Sequence, residues 1–180
     1  MTETPPAIEL RELITDADWD AVMGLDRGPG PVHHINPIDD IRLEAAEEPR
    51  AMPKPWAIHD ASTDGLVGFV MISDNIPEPI DDDVVGPYFL WKLLIDVAHQ
   101  RQGYGHAAID AVITYVRDRP NARILYTSCA PSASPEDISP YPYYLAYGFT
   151  DTGRVMWGEN VLAYDLGMAS SQAVVPPSGP

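Results

Sequence analysis

Cysteine is almost absent: Cys129 stands alone among 180 residues. A disulfide framework within the chain is excluded, and so is a zinc site built on cysteines. Cys129 reads as a small buried residue near a strand end. Positive charge is also scarce, with 11 Lys and Arg against 27 Asp and Glu and a net charge of −16 at pH 7. Phosphate backbones would be repelled, so no nucleic-acid partner is expected. Cationic partners would be attracted at long range, although an acidic surface that simply maintains solubility accounts for the charge as well. No apolar run approaches the ~18 residues that span a bilayer, so no membrane partner is expected. Met1 to Ala7 lacks the basic and apolar regions of a signal peptide, and the expected location is cytoplasmic. His33 and His34 are adjacent, a spacing that rarely ligates one ion, and no carboxylate stands at a ligand spacing. No metal is expected.

The remainder is ordinary for a globular chain: 45% apolar and 21% charged residues, at a length that suits one domain. Ala7 to Leu13 reads as a strand. Asp16 to Leu25 reads as a helix capped by Thr15 or Asp16. Arg27 to Pro55 looks like a variable flap, with a short helix over Asp39 to Ala46 in its acidic part. Trp56 to His59 and Leu66 to Ile72 form a hairpin around Thr63-Asp64-Gly65. A second acidic loop, Asp74 to Val85, carries Asp81-Asp82-Asp83. Tyr88 to Val97 is nearly continuously apolar, as suits a strand buried on both faces. Gly103 to Arg117 follows as an amphipathic helix with Ile109, Val112, Ile113 and Val116 on one side. Ala122 to Ser128 is the next strand, and this strand–helix–strand unit implies a parallel pair. Tyr141 to Tyr147 is a short helix stopped by Gly148. A final hairpin runs over Thr150 to Trp157 and Val161 to Leu166. Residues 1–166 are expected to form a single domain, and the Pro-rich tail 167–180 to be disordered.

The informative segment is Gln100-Arg101-Gln102-Gly103-Tyr104-Gly105, between the apolar strand and the amphipathic helix. The first turn of a helix offers unpaired N–H groups and partial positive charge, and glycines let a bulky anion approach the backbone. The junction is therefore a candidate phosphate or pyrophosphate site. It is not a P-loop, since His106 and Ala107 follow Gly105, and it lacks the third glycine of a dinucleotide fingerprint. On the glycines alone, a tight strand–helix turn fits as well.

Gln-x-x-Gly-x-Gly directly after a buried strand resembles the signature loop of the GNAT superfamily of N-acetyltransferases. Tyr143-Tyr144-Leu145-Ala146-Tyr147-Gly148-Phe149 resembles that superfamily's aromatic-Tyr-x-x-x-Gly-Phe segment. Within it, the chain is most similar to bacterial spermine/spermidine (polyamine) acetyltransferases. The similarity rests on Trp91-Lys92-Leu93-Leu94-Ile95-Asp96 before the loop, Gly148-Phe149-Thr150-Asp151-Thr152-Gly153 with Gly158-Glu159 after it, and Lys54 to Ile58. It spans roughly Pro55 to Leu166. Arg101 departs from the pattern, standing where most relatives carry glycine. Trp91 occupies the place of an acidic general base in some polyamine acetyltransferases, so that base does not carry over. The usual Asn before Tyr144 is missing, with Asp137 nearest by spacing.

The resemblance implies an α/β fold: a mixed, mostly antiparallel central sheet, splayed at one parallel strand pair and flanked by helices. It implies a single N-acetyltransferase domain that uses acetyl-CoA as cosubstrate and transfers the acetyl group to a primary amine of a small cationic molecule. In that family the strand before the loop bulges and splays, freeing N–H groups for the pantetheine arm and the thioester oxygen. By position these belong to Leu94 through Val97, with Ile95 and Val97 first. Gln100, Arg101, Gln102, Gly103, Tyr104, Gly105 and His106 would line the phosphate site, and Tyr144 would be the general acid. Tyr141, Tyr143 and Tyr147 are expected to be core-facing aromatics. Asp96 is a loop cap or a base, and His99 reads as a solvated loop residue. The acidic loops 39–48 and 78–83 are expected to border the acceptor cleft. A homodimer fits the family pattern. An aminoglycoside or protein acceptor, or a non-catalytic acyl-CoA sensor, remain alternatives.

Overall fold

The computed structural model describes residues 5–28, 35–77, 84–131 and 139–167. His33, His34, the Asp81-Asp82-Asp83 run, Asp137 and the tail from residue 168 lie outside the described residues. In chain order the elements are β1 (Ile8–Glu12), α1 (Asp16–Val22), α2 (Ile38–Glu47), β2 (Pro53–Asp60), β3 (Leu66–Asp74), β4 (Tyr88–Ile95), α3 (Tyr104–Arg117), β5 (Ile124–Cys129), α4 (Tyr141–Tyr147), β6 (Thr150–Met156) and β7 (Glu159–Asp165). The strands form one seven-stranded sheet in the order β1-β2-β3-β4-β5-β7-β6. Every pairing is antiparallel except β4 with β5.

Period-2 alternation explains how one sheet carries two cores. Ile58, Val70, Ile72 and Leu90 point to one face, where the apolar stripe of α3 (Ala108, Ile109, Val112, Ile113, Val116) covers them together with Tyr144 and Phe149. Their strand neighbours Ala57, Phe69, Met71 and Leu94 point the other way, against Trp19 and Val22 of α1 and Ile38 and Ile41 of α2. A smaller cluster on the α1/α2 face joins Val85, Phe89 and Val161, with Trp91, Tyr126 and Met156 at its margin.

Local chemistry sets the boundaries. Thr15 caps α1 in a capping box: its hydroxyl accepts from Asp18 N–H, and the Asp18 carboxylate accepts from Thr15 N–H at 2.7 Å. β2 starts at Pro53, three residues before the expected Trp56. Pro53 and Pro55 are tolerated because Leu13 N–H donates to the Pro55 carbonyl. Pro55 thus faces β1, whose ladder ends at the Glu12–Trp56 pair, and its missing donor breaks no bond to β3. β4 ends at Ile95, and only its first half is fully buried. Trp91, Lys92, Leu93 and Ile95 are part-exposed, because β5 has left their side.

The β3–β4 ladder depends on one close approach. A β-carbon added at Gly68 would stand 2.4 Å from the Leu94 carbonyl oxygen, a rigid backbone atom. Gly68→Ala is expected to destabilise the fold by about 2 kcal/mol, a fall of roughly 4–8 °C in a thermal melt. Gly24→Ala, where an added β-carbon meets nothing within 4 Å, serves as the control and should stay within about 2 °C of wild type.

Candidate active site

β4 and β5 share only two residue pairs, Phe89–Tyr126 and Leu90–Thr127. Beyond them the strands part. Trp91 is the cause on the β4 side: Ile72 pairs with Leu90 and Met71 with Lys92, so Trp91 is an extra residue in the ladder, a β-bulge. Downstream, Asp96 N–H donates to the Val67 carbonyl of β3. Alternation therefore turns the N–H groups of Leu94 and Asp96 toward β3 and those of Leu93 and Ile95 toward the gap that β5 has left.

This geometry revises the expected donor set. Val97 lies in a 3-10 turn (Val97–His99), not in β4, and its N–H donates to the Asp26 carbonyl at 2.9 Å. It is not a donor into the gap. Leu93, which position in the sequence did not single out, replaces it. The bulge at Trp91 is what shifts the register, and only the pairing with β3 reveals it.

Asp96 is a cap. One carboxylate oxygen accepts from Asp26 N–H and the other from Ala98 N–H, each at 2.9 Å. The bond from Asp26 is the main force holding its pKa below the usual range. Two glutamines brace the loop from within. Gln100 Nε2 donates to the Ile95 carbonyl at 3.0 Å and Gln102 Nε2 to the Ala98 carbonyl at 2.9 Å. Arg101 sits in the left-handed region at φ 60°, is exposed, and pairs with no carboxylate among the described residues. Gly103, at φ 89°, is the N-cap of α3, and a β-carbon there would meet Pro6 Cδ at 2.9 Å. No side chain caps α3 and no acid stands in its first turn. Its first intrahelical bond is Ala107 N–H to the Gly103 carbonyl, which leaves the preceding N–H groups of Tyr104, Gly105 and His106 without an intrahelical partner.

The Tyr104 side chain does not join them. Its hydroxyl donates to Asp60 at the end of β2. The His106 ring packs against Tyr147, centroids 4.6 Å apart.

On α4, Tyr141 and Tyr147 pack against the main core as expected, whereas Tyr143 does not. Tyr144 is buried at 8% exposure, whereas Tyr143 is 40% exposed and Tyr141 and Tyr147 are partly so. Tyr141 and Tyr147 donate to Asp151 and Asp110, respectively. The Tyr144 hydroxyl is paired with the Thr127 side chain, and Thr127 Oγ1 donates to the Leu90 carbonyl at 2.9 Å. The phenol thus lies at the last joined pair of β4 and β5, on the α3/α4 face. Burial pushes its pKa upward, so it is a protonated donor at neutral pH. The Tyr143 hydroxyl lies beside the loop, where it would be 3.0 Å from a β-carbon at Gly105.

On the opposite face a cleft of about 360 Å³ is lined by Phe89, Trp91, Trp157, Val85, Glu48 and Arg50, among others. Arg50 Nε donates to Glu48 at 2.9 Å. A second groove, about 670 Å³, runs along Met23 to Arg27 and Pro37 to Asp39. The first acidic loop therefore touches both cavities. Residues 78–83 lie outside the described residues. Among the described residues no group of three or more His, Cys, Asp or Glu could hold a metal, and no helix is long and apolar enough to cross a membrane.

A bulged strand, a gap in the sheet and a glycine loop opening an uncapped helix form one continuous track. The sequence model of the acetyltransferase (GNAT) family matches residues 19–141. The chain belongs to that family. Solved GNAT-like structures share its fold. A protein assigned to the GNAT family from Desulfovibrio desulfuricans superposes with a TM-score of 0.61 at 15% identity, covering 89% of this chain and 99% of the other. AtaTR bound with acetyl-CoA gives 0.58 at 16%, covering 88% and 93%. The spermidine/spermine N-acetyltransferase SpeG from Vibrio cholerae, in complex with manganese ions, gives 0.55 at 14%, covering 88% and 92%. A search of the curated proteins finds no match.

The Tyr104–Asp60 contact ties the GNAT loop to the sheet and is sensitive to acid. Hydroxyls of Ser62 and Tyr104, then the N–H groups of Thr63 and Ser62, hold the Asp60 pKa far below its ordinary value. A depressed carboxylate pKa adds stability above the unfolded value of about 3.9 and loses it as pH falls through the folded one. Asp60→Asn should therefore melt below wild type at pH 7, and the difference should shrink as pH drops below about 4. Melts across pH 2–8 check this.

Proposed function

We propose that this GNAT acetyltransferase moves the acetyl group of acetyl-CoA to a primary amine of a small cationic molecule, a polyamine being the first candidate. The observation that carries the reading is the two-pair β4–β5 ladder, with Leu93 and Ile95 N–H facing the gap beyond it and the uncapped α3 at its end. In this reading the gap receives the pantetheine arm, and Leu93 N–H polarises the thioester carbonyl. The first-turn N–H groups of α3 and the exposed Arg101 receive the pyrophosphate. Tyr144 protonates the departing thiolate. The cationic acceptor is supported by the net charge of −16, and the likeness to a polyamine acetyltransferase is consistent with it. Aminoglycosides belong to the same cationic class and enter the same test.

Calorimetry with acetyl-CoA, followed by thiol release over a panel of polyamines and aminoglycosides, tests the reading. Binding with turnover is expected. Tyr144→Phe should lower kcat by roughly 10² or more while acetyl-CoA affinity changes by no more than about twofold. Absence of acetyl-CoA binding would overturn the proposal.

A further inference from the structure

An alkylammonium has a pKa of about 10.4, so acceptor chemistry at neutral pH needs a group to take its proton. β4 supplies none: the residues on its α1/α2 face beside the gap are Phe89 and Trp91. The carboxylates beside the loop and the Trp91–Trp157 cleft are already committed. Asp96 accepts two backbone bonds, Glu44 pairs with Lys92 at 2.8 Å, Glu48 with Arg50, and Asp151 accepts from Tyr141 and Gly153.

Glu159 differs. It is the first residue of β7, two before Val161, and shares the face of Val161 and Phe89 by alternation. Ser128, the β5 residue just past the last pair with β4, donates its hydroxyl to Glu159 Oε2. No cation pairs with Glu159 among the described residues. Because Ser128 follows the last β4–β5 pair, its bond places Glu159 at the mouth of the gap. Trp157, 65% exposed and two residues earlier, lines the 360 Å³ cleft with Trp91 and Phe89.

Building on the proposed acetyl transfer, we infer that Glu159, held by Ser128, is the base that accepts the acceptor's proton, and that the Trp91–Trp157 cleft receives the cationic amine. Glu159 and Tyr144 then flank the gap from opposite faces. The ammonium gives one proton to Glu159. Its nitrogen lone pair forms the N–C bond to the thioester carbonyl, and the C–S bond breaks toward the Tyr144 face. The thiolate takes the Tyr144 proton, and the second amine proton restores the phenol. Glu159 releases its proton to solvent, so the sum is amide, thiol and one proton. The aromatic walls suit a cation, which the faces of tryptophan attract. Cys129 on β5 and Tyr144 on α4 are the titratable groups that feel the Glu159 charge.

The test compares wild type, Glu159→Gln and Ser128→Ala, with spermidine and an aminoglycoside as probe amines. Acetyl-CoA affinity is measured by calorimetry, and kcat and KM by thiol release. Glu159→Gln is expected to bind acetyl-CoA as wild type does and to lose about 10²-fold or more in kcat. Ser128→Ala keeps the carboxylate but loosens it, and should lower kcat about tenfold while KM for acetyl-CoA stays within about twofold. Wild-type kcat in Glu159→Gln would overturn the assignment. So would acetyl-CoA binding by the wild type without turnover of either amine, a result that leaves the acyl-CoA site standing. Failure to bind acetyl-CoA would instead overturn the function on which the inference rests.

Discussion

The two-pair ladder between β4 and β5 is the constraint on which the site depends. Its flanks are firm: β4 is zipped to β3 along its length, and β5 to β7 through six residue pairs. The sheet therefore cannot close by letting either strand drift. Backbone N–H groups left without a partner away from water cost about 1–3 kcal/mol each, so a gap lined by Leu93 and Ile95 is stable only while water or a ligand fills it. Every other feature of the site is arranged around that opening. Trp91 bulges at its start, Thr127 and Tyr144 sit at its vertex, and the glycine loop closes its far end.

An anion-binding loop on a chain of net charge −16 must be shielded from its own protein. The arrangement achieves this locally. Asp96, the one acid in the connection between β4 and α3, turns its oxygens inward to the N–H groups of Asp26 and Ala98. α3 carries no acid in its first turn. Arg42, Lys54, Lys92 and Arg119 are tied to carboxylates elsewhere, whereas Arg101 is left exposed at the loop. The left-handed backbone at Arg101 is a conformation that suits glycine better, so this chain accepts a small conformational cost to put a cation there.

Much of the architecture was legible in the residues because its signals are local. The α3 stripe, the Thr15 cap, the Gly148 stop and the helix over Tyr141 to Tyr147 each depend on side chains within one or two turns of one another. The strand–helix–strand unit implied the parallel pair before any contact was known. Errors fell where a distant partner decides. β2 was expected to start at Trp56, and only the end of the β1 ladder makes Pro53 and Pro55 harmless within it. Val97 seemed a donor into the gap until Asp26, far away in sequence, claimed its N–H.

The candidate site divides along the same line. Sequence alone determined where the loop lies, that a helix opens behind it, and that a tyrosine precedes Gly148 at the spacing of a known acid. These are matters of order and periodicity along one segment. Only the tertiary structure decided which of four aromatics on α4 turns inward, which β4 donors face the gap, and that Ser128 and Glu159 meet. Each of those depends on register between strands, and register is set by bulges and cross-strand pairs that no single segment encodes.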